Sequence, residues 1–324
     1  MRRRVLLLWK PLDFYFPIRA NQRKDLFPVS DSSTAHPIDN PKILRYLDDR
    51  CRVHKETIKL CHEVLQRKFI DWEPLMGSTL SSSSSRPDLV ISIGGDGTLL
   101  QASHFLDDSV PIVGINSDPT QIDEIEECID EFDATRSTGY LCAASAKNFE
   151  QTLDEILEGC KVPSELSRIS MSLNGHMLPS YAMNDVLICH SCPATVSRFS
   201  FRIVNDNQKA SCLVNSRSSG LRICTAGGST AAMHSAGGFP MHILCRDFQY
   251  MVREPVMPKE TEASKMHSLL KSNQSMQVSW YSKKGNIFID GSHVFHSVQY
   301  GDTIQISSNA PVLKIHLPPN LLQR

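Results

Sequence analysis

The residues with the clearest chemical potential form a glycine-rich segment that contains one carboxylate. The segment directly follows the apolar run Leu89–Ile93 and reads Gly94-Gly95-Asp96-Gly97-Thr98. Glycines let phosphate oxygens approach the backbone N–H groups, and Thr98 would open a helix whose N-terminus favours an anion. A carboxylate among these donors repels phosphate unless it binds a metal ion or accepts a proton from an attacking hydroxyl. We therefore predict a phosphate-bearing ligand with Asp96 as the catalytic residue; the alternative is a tight Asp-Gly turn without a ligand.

Two segments in the second half of the chain carry polar groups that suit a nucleoside. Asn184 can pair with donor and acceptor positions of an adenine edge, and Asp185 can accept hydrogen bonds from ribose hydroxyls. A later loop of small residues would let a planar ligand lie against its backbone. Its predicted binding residues are Thr225, Gly227, Gly228, Ser229, Thr230 and Ala231. The alternatives are ordinary turn chemistry for the first segment and a glycine-rich surface loop for the second.

Composition and charge narrow the class of protein. The 324 residues suffice for two domains, and 34 basic against 35 acidic residues give a net charge of −1, which supplies no field for nucleic acid or an anionic membrane. The apolar run Val5–Trp9 is too short for a signal core or a membrane span, so the ten cysteines are expected as free thiols in the cytoplasm. Cys189 and Cys192 supply only half of a zinc motif, and no metal site is predicted.

Strands and helices alternate over residues 1–145, which predicts an α/β domain with a parallel sheet. In such a sheet the glycine-rich segment falls at the carboxyl edge, where ligands bind. The predicted strands are Val5–Trp9, Leu89–Ile93 and Pro111–Asn116, and the serine run Ser81–Ser85 is a predicted connection. A helix with Ser145 as its N-cap follows.

Short alternating strands over residues 146–324 predict an antiparallel, β-rich second domain, a β-sandwich. The last segment of the chain belongs either to this second domain or, if the chain returns, to the first domain. The turns predicted between its strands are Asn174-Gly175, Lys284-Gly285 and Asp290-Gly291.

The order and combination of the three glycine-rich and polar segments resemble the NAD kinase family, over most of the chain. Further detail is similar to the plant NADH kinases within that family. This detail is carried by Ser167-Arg168-Ile169-Ser170, Ser197-Arg198-Phe199-Ser200-Phe201 and Met251-Val252-Arg253-Glu254-Pro255.

The resemblance implies a two-domain kinase that uses ATP to phosphorylate the adenosine ribose 2′-hydroxyl of NADH or NAD⁺. Phosphoryl transfer in turn implies Mg²⁺, although the sequence shows no dedicated set of ligands for it. It implies a Rossmann-like, phosphofructokinase-like first domain and assembly through the second domain into a homodimer or a higher oligomer. Asp96 would orient or deprotonate the 2′-hydroxyl, and Gly94, Gly95 and Gly97 would shape the phosphate loop. Asn184 and Asp185 would hold adenine and ribose, and Thr225–Ala231 would line the dinucleotide pocket, with Thr230 against adenine.

The chain departs from the family pattern at two positions expected in the dinucleotide pocket and in one stretch of the first domain. Ser219 stands where the family usually has Asp, Ala232 stands where it has Tyr, and the Leu-Gly-Arg-Leu-Gly-Phe stretch of the first domain is missing. Because the glycine loop is shared with phosphofructokinases and with diacylglycerol or sphingosine kinases, a sugar or lipid kinase is the alternative enzyme. A dinucleotide sensor without catalysis is the alternative outside enzymes.

Overall fold

A computed structural model describes residues 3–12, 40–75, 86–207, 209–256 and 264–323. The serine run Ser81–Ser85 lies outside these ranges. The chain groups into two compact units, the first made of Met1–Leu99 with Ile112–Val162 and the second of Leu100–Pro111 with Pro163–Arg324. No helix in the described ranges is both long enough and apolar enough to span a bilayer.

The first unit contains the parallel sheet that the sequence predicts. Within the unit the strand order is β2-β1-β3-β4, with β5 beside β4, and every one of these pairs is parallel. The strands are β1 (Arg4–Trp9), β2 (Asp71–Pro74), β3 (Leu89–Gly94), β4 (Ile112–Asn116) and β5 (Ala144–Ser145). All residues of β3 and β4 are buried, which explains why both read as continuous apolar runs.

In the part of the chain that the structure describes, four helices accompany this sheet: α1 (Pro41–Arg67), α2 (Asp96–Ser103), α3 (Ile122–Cys128) and α4 (Phe149–Leu157). The boundary between the units falls inside α2, after Leu99. The prediction of Ser145 as an N-cap is wrong, since Ser145 ends β5 and Asn148 caps α4. The helix α4 groups with the first unit because Phe149 and Leu153 are buried in the core of the parallel sheet.

A buried histidine joins α1 to the carboxyl ends of two strands. The His54 ring is fully buried, and its Nε2 lies 2.9 Å from the Lys10 carbonyl oxygen while its Nδ1 lies 2.7 Å from Ser117 Oγ. A carbonyl can only accept, so Nε2 carries the proton and Nδ1 accepts from the Ser117 hydroxyl. Ser117 N in turn donates to the Gly94 carbonyl at 2.8 Å, so this neutral ring supports the turn that holds the glycine-rich segment.

This histidine predicts a loss of stability in mild acid. Burial lowers the pKa of His54 below the ordinary value of 6.5, so below pH 6.5 the unfolded chain binds a proton that the folded chain resists. The free energy of unfolding should fall as pH decreases below about 6.5, with a slope of at most about 1.4 kcal/mol per pH unit from this group. Urea unfolding of His54→Gln and of the parent protein between pH 8 and pH 5 checks it. Equal pH slopes in the two proteins would contradict this assignment.

In the described residues, the second unit contains two antiparallel sheets of six strands each, ordered β11-β10-β15-β18-β7-β8 and β14-β13-β12-β9-β16-β17. Its strands β6 and β19 also pair with each other in antiparallel fashion. In the first of these sheets are β7 (Ser170–Leu173), β8 (His176–Met177), β10 (Ser197–Asn205), β11 (Val214–Ser218), β15 (Gln274–Trp280) and β18 (Thr303–Ser307). The second contains β9 (Asp185–Cys189), β12 (Gly220–Cys224), β13 (Phe248–Arg253), β14 (His267–Leu270), β16 (Lys284–Ile289) and β17 (Val294–Gln299). The remaining elements are β6 (Ser164–Leu166), β19 (Leu313–His316), a 3₁₀ helix (Gly227–Thr230), α5 (Ala232–Ser235) and α6 (Pro319–Leu322).

One apolar core fills the space between the two antiparallel sheets, as a β-sandwich requires. Phe201 of β10 meets Tyr250 of β13 edge to face, with ring centroids 5.7 Å apart, and these strands belong to different sheets. Within the first sheet, Trp280 is fully buried and stacks on Phe199. The prediction of an antiparallel β-rich second domain is confirmed.

Two of the three predicted turns are present. Asn174-Gly175 and Asp290-Gly291 have positive φ angles at both residues, 51° and 82° in the first and 50° and 113° in the second, as tight hairpin turns need. The prediction of a turn at Lys284-Gly285 is wrong because both residues lie in β16. Gly285 is there because the indole ring of Trp280 occupies the space that a side chain would need.

Candidate active site

The glycine-rich segment turns the chain from β3 into α2, as predicted, although the helix begins two residues before Thr98. Asp96 therefore lies in the first helical turn, where Thr98 N and Leu99 N both donate to the Gly95 carbonyl. A Cβ on Gly94 would overlap the buried Thr98 side chain, and one on Gly95 would lie 2.5 Å from Ser137 Oγ. Gly97 has open space around it. The first two glycines are thus required for packing, and the third leaves an exposed stretch of backbone.

The Asp96 carboxylate is held by a segment that sequence reasoning did not assign to the site. Its two oxygens accept hydrogen bonds from Tyr140 N at 2.9 Å and Leu141 N at 2.8 Å, and Cys142 Sγ lies 3.8 Å away. Burial raises the pKa of Asp96, and these hydrogen bonds partly offset that increase. The carboxylate therefore has a fixed orientation and an increased proton affinity, which are the properties that a general base needs.

In the second unit the residues Asn184 and Asp185 lie in a turn that is organised by Asp290. The Asp290 side chain is fully buried and accepts from Met183 N at 2.8 Å, Asn184 N at 2.7 Å and Asp185 N at 2.9 Å. His104 Nε2 supplies a fourth donor at 3.0 Å. The sequence predicts Asp290 only as a turn residue, yet its carboxylate fixes the backbone of both predicted nucleoside-binding residues.

The Asp185 carboxylate is paired with Arg222, a residue that the sequence did not single out. Arg222 Nη1 contacts Asp185 Oδ2, and the Asn184 amide lies 3.4 Å from Asp185 Oδ1. Burial raises the pKa of Asp185, the Arg222 cation opposes that increase, and the neighbouring Asp290 carboxylate adds to it. A signal was present in the sequence, since Arg222 is a lone charge in the otherwise uncharged strand Gly220–Cys224.

The predicted small-residue loop folds as the 3₁₀ helix Gly227–Thr230 and packs inside the second unit, so the alternative of a surface loop is wrong. Thr225 N donates to the Asn184 carbonyl at 3.1 Å, and Thr225 Oγ1 contacts the Met183 carbonyl. Ser229 Oγ donates to the Ala226 carbonyl at 2.7 Å and accepts from Met241 N at 2.8 Å. Thr230 is half-buried and Ala231 is exposed. The 3₁₀ helix and the preceding Thr225 thus pack directly against the backbone of Met183 and Asn184.

The contact between these two segments predicts different outcomes for two adjacent glycines. A Cβ on Gly228 would overlap the Asn184 carbonyl, whereas a Cβ on Gly227 would have its nearest neighbour, the Met183 carbonyl oxygen, at 3.5 Å. Gly228→Ala should cost about 1–3 kcal/mol in the free energy of unfolding by overpacking. Gly227→Ala should cost less than about 1 kcal/mol. Thermal unfolding of the two variants measures these losses of stability. Equal losses in both variants would contradict the close contact between Gly228 and the Asn184 carbonyl.

The structure shows the surroundings of the two second-unit positions that depart from the family pattern. Ser219 Oγ contacts the Glu254 carboxylate, so a carboxylate stands beside position 219 although the residue itself is uncharged. Ala232 is exposed and begins α5.

Cys189 and Cys192 are free thiols, and the described part of the chain holds no group of three or more metal-ligating side chains.

Each unit thus assembles its own set of predicted residues. In the first, the Gly94–Thr98 segment lies against Ser137, Tyr140 and Leu141. In the second, Asn184 and Asp185 lie with Thr225 and Gly228, supported by residues that the sequence did not assign, namely Asp290, Arg222 and His104. The first set contains an oriented carboxylate, and the second contains a cluster of hydrogen-bonded polar side chains.

Comparison with known proteins decides the family. Residues 42–118 match the model of the ATP-NAD kinase N-terminal domain. A probable NADH kinase of Oryza sativa subsp. japonica is 56% identical over 322 residues, covering 99% of this chain and 98% of the relative. The chain belongs to the NAD kinase family. The NADH kinase of Arabidopsis thaliana is 55% identical with the same coverage, which confirms the resemblance to plant members of the family.

Solved structures of NAD kinase family members share the fold. An NAD kinase from Archaeoglobus fulgidus, solved in complex with ATP, superimposes with a TM-score of 0.63 at 21% identity, covering 82% of this chain and 91% of that one. Yeast NADH kinase, solved with NADH, also gives 0.63, at 14% identity, covering 95% of this chain and 79% of that one. The predicted combination of an α/β domain and a β-rich domain is confirmed for this member of the NAD kinase family.

Proposed function

We propose that this chain is an ATP-dependent kinase that phosphorylates the adenosine ribose 2′-hydroxyl of NADH, and of NAD⁺, and so supplies NADPH and NADP⁺. The observation that carries the proposal is the Asp96 carboxylate, half-buried and oriented by two backbone N–H groups, at the start of the helix that follows the glycine-rich turn. The plant relatives named NADH kinase, similar over almost their whole length, support the choice of acceptor.

Asp96 is assigned the proton of the acceptor hydroxyl. As the 2′-oxygen forms its bond to the γ-phosphorus, the bond from that phosphorus to the β,γ-bridging oxygen breaks and ADP leaves. The hydroxyl proton passes to Asp96, whose raised pKa favours its acceptance. Gly94, Gly95, Gly97 and Thr98 are assigned to the phosphates, because Gly97 leaves the backbone exposed and uncrowded in the first turn of α2.

The second unit is assigned the dinucleotide. Asn184 is proposed to bind adenine and Asp185 the ribose hydroxyls, on the turn that Asp290 fixes. Thr225, Gly227, Gly228, Ser229 and Ala231 are proposed to shape the pocket, with Thr230 against adenine. Mg²⁺ is proposed to enter with ATP as Mg-ATP, and it would supply charge neutralisation on the phosphates during transfer.

Two further proposals concern the setting of the reaction. We place the enzyme in the cytoplasm, which the ten free thiols support, since reducing compartments keep cysteines unpaired. We also propose a homodimer, which is supported by the family resemblance alone. Imaging of a tagged protein and light scattering of the purified protein test the two proposals.

The function is tested by incubating the purified protein with Mg-ATP and either NADH or NAD⁺ and quantifying NADPH and NADP⁺. We expect turnover with NADH and with NAD⁺. Parallel reactions with dispersed diacylglycerol and with a sugar phosphate address the alternative kinases. Turnover only in those reactions would contradict the proposal, and saturable NADH binding without turnover would indicate a sensor.

A further inference from the structure

Arg222 places a positive charge in a largely buried position within a β-strand. The side chain projects from the middle of β12 and is only 12% exposed, an environment in which an unpaired charge is costly. Among the described residues, Asp185 is its one hydrogen-bonding partner, through Nη1 alone. Its buried Nε has no partner among the described residues, so the guanidinium has donors to spare.

Arg222 is also the cation that Asp185 depends on. The neighbouring Asp290 carboxylate is already occupied by three backbone N–H groups and by His104, so it does not compete for the guanidinium. Asp290 instead adds negative charge beside Asp185. Arg222 therefore contacts, through one of its nitrogens, the Asp185 carboxylate that is assigned to the ribose hydroxyls.

We propose that Arg222 binds the 2′-phosphate that the reaction places on the ribose. The inference rests on the proposed function, which puts the ribose hydroxyls at Asp185. A phosphate monoester carries a charge close to −2 at neutral pH, and its arrival beside Asp185 creates repulsion between two anions. A guanidinium that contacts both anions relieves that repulsion, and its fork of donors suits phosphate oxygens.

This arrangement gives Arg222 a selective effect. Unphosphorylated NADH offers it no phosphate at this position, so the cation stays with Asp185 and adds little to the affinity for NADH. The new contact forms as the phosphoryl group reaches the 2′-oxygen, and such an interaction stabilises the transition state and product more than the substrate. Removing the cation should therefore weaken NADPH binding much more than NADH binding.

The experiment measures the dissociation constants of NADH and NADPH from the fluorescence of the reduced nicotinamide. In Arg222→Met the ratio of the NADPH constant to the NADH constant should rise about 10- to 100-fold over the wild-type ratio, as expected for loss of a charged hydrogen bond. Arg222→Lys keeps the charge without the fork and should give a smaller rise in the same direction. The ratio cancels any loss of affinity that both ligands share, and circular dichroism checks the fold.

Arg253 supplies the matched control. It lies on β13, beside Gly220 of β12 and on the same face of the sheet as Arg222, and its side chain is 30% exposed. Arg253→Met should leave the ratio within about twofold of wild type, because screened surface charges contribute little. An unchanged ratio in folded Arg222 variants, or an equal rise in Arg253→Met, would overturn the assignment of Arg222 in an active enzyme. A wild-type protein that makes no NADPH from Mg-ATP and NADH would instead overturn the proposed function.

Discussion

Asp96→Asn should lower kcat for NADH phosphorylation by about 10²- to 10⁴-fold, the usual contribution of a positioned general base. The amide cannot accept the 2′-hydroxyl proton, whereas the carboxylate can. Since the amide still provides one oxygen to the N–H groups of Tyr140 and Leu141, the surrounding backbone keeps part of its support. Steady-state kinetics with Mg-ATP and NADH, together with thermal unfolding, measure the two effects separately.

The amide nitrogen that Asp96→Asn introduces would also face one backbone N–H group, which should cost about 1–3 kcal/mol of stability. Ser137→Ala is the control for this effect. It removes the hydroxyl that accepts from Asp96 N and Gly139 N, so it weakens a neighbouring contact between the same two segments and keeps the carboxylate. We expect the control to retain activity within about tenfold of wild type. Near-normal turnover in Asp96→Asn would remove Asp96 from the role of base.

Local patterns in the sequence predicted three strands of the first unit and the position of Asp96. The apolar runs of β3 and β4 and the glycines after β3 indicate a strand that turns into a helix, and the structure places Asp96 in that helix. The backbone N–H groups of Tyr140 and Leu141 could not be predicted, because a backbone donor has no signature in residue type. Their approach depends on the fold of a segment more than forty residues away in sequence.

The second unit shows the same limit for side chains. Asp290-Gly291 is a typical turn pair, and the structure confirms the turn, yet nothing local reveals that its carboxylate reaches the turn at Asn184. Arg222 did carry a local signal as a lone charge in an uncharged strand, but its partner Asp185 becomes visible only when β12 pairs with β9. Residue types and spacing thus predicted the groups assigned to ligands, whereas the groups that hold them required the tertiary structure.

Asp290→Asn should both destabilise the second unit and weaken its binding of NADH. Four donors converge on this buried carboxylate, and an amide oxygen cannot accept from all of them while the amide NH₂ faces some of them directly. Leaving such donors unpaired should cost about 3–5 kcal/mol in the free energy of unfolding. Because Asn184 and Asp185 lose their fixed backbone, the dissociation constant for NADH should rise by about tenfold or more. Urea unfolding and fluorescence titration with NADH measure the two effects.

Asp302→Asn provides a matched control in the same unit. Asp302 is a buried turn residue whose carboxylate accepts from Asn174 Nδ2 and Gln299 N, both at 2.8 Å. Its replacement should also reduce stability, but the NADH dissociation constant should stay within about twofold of wild type, since neither of these partners was assigned to the dinucleotide. Asp290→Asn removes a negative charge beside Asp185 and so reduces the repulsion between the two carboxylates. Weaker NADH binding in this variant would therefore come from the loss of the fixed backbone and not from electrostatic repulsion. An Asp290→Asn protein that is less stable yet binds NADH as wild type does would show that Asp290 supports the fold without shaping the dinucleotide site.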